Sequence, residues 1–452
     1  MFQIIVVKNN HPLGVLKESE RSITFEYFDD IAQNDYIENL PQTTNTSSSL
    51  FPIFENLLPE SEQLEYLKAK HTIKNTIGVL LYLDNIHGSF EFYTVDNFKE
   101  KSFTKEKIFI YDEVVERVLE NDYTFPNILD GYTLDIAKEK LFPKEFKNNK
   151  ITGLSGFQYK FGVILDKEKK TIQYIENEQC EYIMKPYNHS YSTFQPLNKD
   201  TSYIPYLLIN EHLFMSLARD FGFKVPYNAI IKDGKDYHYI IKRYDRFNGL
   251  KIDHREILTL LGKHSNEKYK VSAVDAIKAV TEYLTKDELI EMFSFFVFSI
   301  IIGHGDFHAK NISLIYKTNA FNESQMQLAP YYDISTVGIY KSVGNNDIGM
   351  KILNKNNKIT LEDLVWLGAK FTISKEEVKS CVSNLTKKFK DEFLDYVAKL
   401  PQNIKLLPFY KDRYKHFDTF EVVLKKYYHN RITYIDKYLL KKEKKEKKDI
   451  WI

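Results

Sequence analysis

The chain is poor in cysteine, in net charge and in long apolar runs, and each shortage removes a class of protein. Its two cysteines, Cys180 and Cys381, lie far apart in 452 residues and without metal-like spacing. A disulfide framework and a cysteine-ligated metal centre are therefore excluded as organising devices, and both thiols are expected to be reduced and buried. A formal net charge of +1 supplies no overall basic field, so binding nucleic acid through bulk charge is not indicated. The longest apolar run, MFSFFVFSIII from Met292 to Ile302, covers about 11 residues where a membrane span needs roughly 18 to 20, and it reads as a core helix. The opening MFQIIVVKNN has no basic stretch before its apolar residues and no cleavage-like small residues after them, unlike a signal peptide. Internal repeats and a Walker pattern are also lacking. A soluble, cytoplasmic protein with no membrane partner is expected.

What is present is enough apolar content, 43%, for two or three domains with sizeable cores. Residues 1–95 alternate strand-like pieces (FQIIVVK, GVLKE, SITFEYF) with turns, which predicts a small antiparallel sheet. After it LFPIFENLLPESEQLEYLKAKH has helical spacing. Residues 96–149, rich in Lys and Glu, are expected to form a helical connector. From 150 to 248 a glycine-containing loop leads into three short strands, a helix between Tyr203 and Phe221, and a hairpin turning at Asp233-Gly234. From 249 to 452 helices dominate, apart from the turn HGDFHAKN, a hairpin from ISLIY to QLAPYYDIS, and a basic tail, LLKKEKKEKKDIWI, that reads as a solvated end. The fold class is α+β: a small N-terminal β-rich domain, then two lobes, one β-rich and one α-helical, with a cleft between them suited to a ligand.

Chemistry concentrates in HGDFHAKN, which a buried helix delivers to a surface. Asp306 and Asn311 stand five positions apart, the D-x-x-x-x-N spacing of phosphotransfer loops, where the carboxylate orients the attacking hydroxyl and the amide oxygen holds a metal ion. Lys310 is close enough to Asp306 to neutralise charge on a transferred phosphoryl group. His304 and His308 are four apart, but without the glutamate and long helix of a zinc site they serve better as braces; His308 is kept with the nucleotide-facing set. Upstream, Ser155-Gly156-Phe157-Gln158-Tyr159-Lys160 could bring backbone N–H groups near phosphates. Lys185 ends the strand YIMK, and Glu211 on the following helix is its candidate partner. Lys242 and Tyr244, in IIKRYDR, lie where the chain crosses between lobes and could offer backbone to an adenine edge. Asp333, returned beside Asn311 by the ISLIY hairpin, would complete an oxygen-ligand magnesium site. Singly these residues are ordinary; their order along the chain is that of protein-kinase-like phosphotransferases.

SGFQYKF, YIMKP, INE, KRYDR, HGDFHAKN and LAPYYDIS together resemble the successive motifs of the HipA-type serine/threonine kinases, toxins of type II toxin–antitoxin pairs. NNHPLGVL and FENLLPES are similar to the small domain that precedes the kinase in that family. The resemblance implies ATP and Mg2+ as cofactors, with Ser155, Gly156, Gln158, Lys160, Lys185, Glu211, Lys242, Tyr244 and His308 about the nucleotide. Asp306 would be the catalytic base, assisted by Lys310, and Asn311 and Asp333 the metal ligands. It also implies a protein substrate such as an aminoacyl-tRNA synthetase, a helix-turn-helix antitoxin partner through which DNA would be reached, and a regulatory autophosphorylated serine in the glycine loop. The sequence departs from the family pattern at two places: Gly153 stands at the usual serine position, leaving Ser155 as the candidate, and Lys242 stands where an acidic residue is frequent. HGDFHAKN is shared in outline with aminoglycoside phosphotransferases, so a small-molecule kinase is the alternative, and a retired kinase fold acting as a corepressor is a third.

Overall fold

The structure is a computed structural model that describes residues 1–33, 36–59, 61–83, 85–103, 119, 123–141, 158–176, 180–189, 203–247, 249–317, 325–340, 346–411 and 416–440. Ser155 and Gly156 of the glycine loop and the tail beyond Leu440 fall outside them.

Alternating apolar residues set the N-terminal sheet. β1 (Phe2–Lys8), β2 (His11–Glu18), β3 (Ile23–Tyr27), β4 (Thr44–Ser47) and β5 (Phe90–Tyr93) pair antiparallel in the order β4-β3-β2-β1-β5. The turn Asn9-Asn10 takes φ of 49° and 56°, the left-handed pair that suits a two-residue hairpin and that asparagine tolerates. Ile4, Val6, Leu16 and Phe25 turn to one face and pack on Phe54 of α1 (Pro52–Glu55), forming a core of their own. The helical spacing after residue 50 is interrupted: α1 is a single turn, and α2 (Ser61–Lys70) follows separately.

A second sheet, of seven strands among the described residues, runs in the order β6-β11-β12-β10-β8-β9-β7. Its members are β6 (Ile128–Leu129), β7 (Thr133–Asp135), β8 (Phe161–Asp166), β9 (Thr171–Gln173), β10 (Tyr182–Lys185), β11 (Asn228–Asp233) and β12 (Asp236–Lys242). The β11–β12 hairpin turns where expected, with Gly234 at φ +58°. Of the expected helical connector, 96–149, the described residues are 96–103, 119 and 123–141: the first holds a short helix, Val95–Lys99, and the last adds β6 and β7 to the two edges of this sheet, with one helical turn at Lys138–Leu141. The long helix of this lobe, α3 (Leu207–Asp220), is buried along nearly its whole length, including Glu211.

From Arg246 onwards lie β13 (Arg246–Phe247) with β14 (Leu250–Lys251), and β15 (His254–Glu256), which adds a third strand to the expected hairpin of β16 (Ser313–Tyr316) and β17 (Met326–Leu328). Around them pack α4 (Ala273–Val280), α5 (Lys286–Ile302), α6 (Leu361–Lys370), α7 (Lys375–Lys399) and α8 (Phe420–Tyr434). α5 is the apolar run of the sequence. Thr285 and Glu288 close its start as a capping box, and Phe293, Phe295, Phe296 and Phe298 are almost fully buried. Each such ring stabilises the core by about 2–3 kcal/mol. No helix among the described residues is long and apolar enough to cross a membrane.

Candidate active site

α5 stops at Gly303, whose φ of +63° is the left-handed closing conformation; Gly303 N–H and His304 N–H return to Ile300 and Ser299. The turn that follows is therefore aimed by a rigid helix. Gly305 has no room for a side chain, since a Cβ there would stand 2.6 Å from Val337 and 2.9 Å from the Asn346 carbonyl. His304 stacks on Phe307 and is pushed down to about 4 by burial, so it is neutral. His308 Nδ1 accepts the Lys310 N–H at 3.2 Å, and burial holds its ring well below the usual histidine range. Both histidines act as braces, and His308 also lines the cleft.

Three charged groups meet across the two lobes. Lys185 Nζ donates to both oxygens of Glu211, at 2.7 and 2.9 Å, and to Asp333 Oδ1 at 2.9 Å. Burial opposes every charge here, but the Lys185 and Lys160 cations hold the Asp333 carboxyl well below its usual range. Asp333 itself sits at φ +58°, a conformation uncommon outside glycine and a mark of a residue held by its surroundings. Asn311 donates from Nδ2 to Asp333 Oδ2 at 3.4 Å, while its Oδ1 is buried and has no hydrogen-bond partner among the described residues. A buried, unpartnered amide oxygen beside a carboxylate is a donor set that fits a hard divalent cation such as Mg2+.

These groups open on a cavity of about 570 Å3. Lys160, Lys185, Glu211, Lys242, Tyr244, His308, Lys310, Asn311 and Asp333 all line it, so most of the sequence candidates converge. Gln158, half-buried, is not on its wall. Lys310 Nζ stands 3.8 Å from Glu256 and 3.5 Å from the Asn56 carbonyl. The crossing segment is less open than its sequence suggests. Lys242 N–H donates to the Tyr227 carbonyl and Arg243 N–H to that of Glu181, so two groups expected to face an adenine edge are already spent, leaving the Tyr244 ring on the wall.

Two features were not legible beforehand. The N-terminal domain forms the far wall of the cavity through Asn56, Tyr66, Lys70, Tyr82 and His87, although its sequence carries no catalytic grouping. Tyr269, in the patternless stretch EKYKV, donates its hydroxyl to Asp306 Oδ1 at 2.6 Å. No periodicity or motif marks either.

The HipA-like C-terminal domain family matches residues 152–393, and the HipA N-terminal domain family matches residues 4–85. A Haemophilus influenzae protein named "Putative kinase" is 29% identical over 212 residues, 43% of this chain and 55% of that protein. Y4dM of Sinorhizobium fredii, named in the same way, is 25% identical over 195 residues, 40% of this chain and 47% of its own length. The matches thus span about half of those relatives. The solved structure of the Shewanella oneidensis MR-1 toxin–antitoxin system HipA, HipB and its operator DNA superimposes with a TM-score of 0.67 at 18% identity, covering 96% of this chain and 97% of that one.

Proposed function

The chain belongs to the HipA family, with a kinase-like fold, and from this premise we propose that it is an ATP- and magnesium-dependent kinase that phosphorylates serine or threonine in a protein. The observation that carries the reading is the Lys185–Glu211–Asp333 contact, closed from the other side by Asn311 with its unpartnered oxygen. A lysine fixed by a buried glutamate can meet nucleotide phosphates without the entropic cost of ordering a free side chain. Asn311 and Asp333 would hold the magnesium ion, which would supply positive charge against the phosphates. Asp306 would orient the acceptor hydroxyl and take its proton, and Lys310 would lie against the transferred group.

The likeness to a HipA solved with HipB and operator DNA supports a small helix-turn-helix antitoxin as the proposed partner, DNA being reached through that complex. The proposed acceptor is a translation-related protein such as an aminoacyl-tRNA synthetase, and Ser155 the proposed site of autophosphorylation, both carried by the family resemblance.

Purified protein incubated with labelled ATP, magnesium and a cell lysate is expected to label protein. Asp306→Asn should lower that labelling by at least about a hundredfold, the usual scale for loss of a general base. Equal labelling by both proteins would overturn the assignment, and label found only in small molecules would redirect it to a small-molecule kinase.

A further inference from the structure

The candidate base is not open to the cavity. His308, Lys310, Asn311 and Asp333 line it, but among the described residues Asp306 does not, and Asp306 is only 8% exposed. Tyr269 lies against it, its hydroxyl bonded to Asp306 Oδ1 at 2.6 Å. That is the length of a charge-assisted O–H···O bond, and it is the contact that an acceptor alcohol must make with a general base. Tyr269 is also 41% exposed, one of the few large rings among the described residues left in water.

The backbone explains how the ring arrives. Glu267 and Lys268 end a short helical turn, and the Lys268 carbonyl accepts the Ala309 N–H of the catalytic turn at 3.5 Å. The segment is thereby tied to the turn one residue before Tyr269. The ring then leans edge-on against His308, with centroids 5.1 Å apart and planes at 82°. The His308 edge contact, the Asp306 hydrogen bond and the Lys268 ammonium, 5.5 Å from the ring centre, are among the contacts that place this half-exposed side chain. With its ring 41% exposed, a change of side-chain rotamer would turn it towards solvent.

We infer that Tyr269 occupies the acceptor-hydroxyl position beside Asp306, so that a substrate alcohol must turn it out before phosphoryl transfer. The inference rests on the kinase reading of this site and adds to it a residue that governs access to the base. In the absence of a protein acceptor, the same ring keeps water from Asp306 and so suppresses ATP hydrolysis.

The test uses the full-length protein, MgATP and water as the only acceptor. Tyr269→Phe removes the hydrogen bond and keeps the ring; Tyr269→Ala removes both. Hydrolysis should rise about tenfold in Tyr269→Phe, the value of one such bond, and further in Tyr269→Ala, with MgATP affinity by calorimetry unchanged. Circular dichroism on both variants checks that the fold is intact, as expected for a half-exposed residue. Hydrolysis that stays level or falls in both variants, with affinity intact, would overturn the inference and make Tyr269 a helper of Asp306 instead. Wild-type protein that binds no MgATP would instead overturn the nucleotide reading, and this inference with it.

Discussion

Lys185 is one cation shared by two carboxylates, and the sharing decides how each behaves. For Asp333 the attraction of Lys185 and Lys160 outweighs burial. For Glu211 burial outweighs Lys185, whose charge is partly engaged elsewhere, and the carboxyl is pushed up from 4.5 to about 7. A raised folded value means that the native protein holds a proton the unfolded chain has released. Stability from this group is therefore fully present below pH 4.5 and is lost as pH rises towards 7. Glu211→Gln, neutral at every pH, should remove that slope. Measured by thermal unfolding, the variant should gain on wild type between pH 5 and pH 7.5, by up to about 3 kcal/mol. Parallel pH curves for the two proteins would show that Glu211 stays ionised throughout.

At the scale of the element, α5 matters chiefly through its last turn, because that turn aims the candidate catalytic residues. Its terminal carbonyls do not face water. Thr336 Oγ1 and Tyr427 Oη donate to the Ile302 carbonyl at 2.6 and 2.7 Å, and Arg431 donates to those of Ile301 and Ile300. Arg431 also pairs with the buried Asp347 at 2.8 Å. Side chains from α8 and from the irregular segment after Asp333 thus close the helix that leads into the Asp306 turn. Gly303→Ala would meet only the Arg431 and Thr336 side chains, at 3.5–3.6 Å, so its cost is the left-handed backbone, about 1–2 kcal/mol. Arg431→Ala would take the guanidinium donors from the Ile301 and Ile300 carbonyls, the latter keeping the Gly303 N–H, and would leave the buried Asp347 carboxylate without its cation, with a cost of about 3–5 kcal/mol. Denaturant unfolding should rank the two variants in that order. The reverse ranking would mean that the carbonyls find water and that the glycine conformation is the dominant constraint.

Across the whole molecule, the sequence disclosed what is local. Lys185, Glu211, Asn311 and Asp333 converge because each sits at the end or on the inner face of an element whose period was readable, and the β11–β12 hairpin announced itself by Asp233-Gly234. Strands β6 and β7, two and three residues long, are shorter than any pattern that could reveal them. The union of the N-terminal domain with the rest was equally hidden, because periodicity reports burial and not partners. KRYDR reads as a charged turn, yet it is a clamp. Arg243 donates to the carbonyls of Asn85 and Ile86, Arg246 to those of Ile86 and Gly88, and Asp245 accepts the Gly88 N–H at 2.8 Å while bonding both arginines. All three are at most 3% exposed, so the clamp is dry, and it fixes the wall that the N-terminal domain lends to the cavity. The two arginines hold the Asp245 carboxyl well below its ordinary 3.8, against burial. A depressed folded value places this stability above pH 3.8, and it is lost as pH falls below that point. Asp245→Asn leaves two buried guanidinium groups short of an anion, which should cost about 3–5 kcal/mol at neutral pH. The difference in melting temperature from wild type should stay constant from pH 5 to 8 and narrow progressively below about pH 4, where the unfolded chain's Asp245 takes up a proton that the native one still refuses. A gap that persists unchanged into acid would show that the clamp works through shape and hydrogen bonding, with charge contributing little.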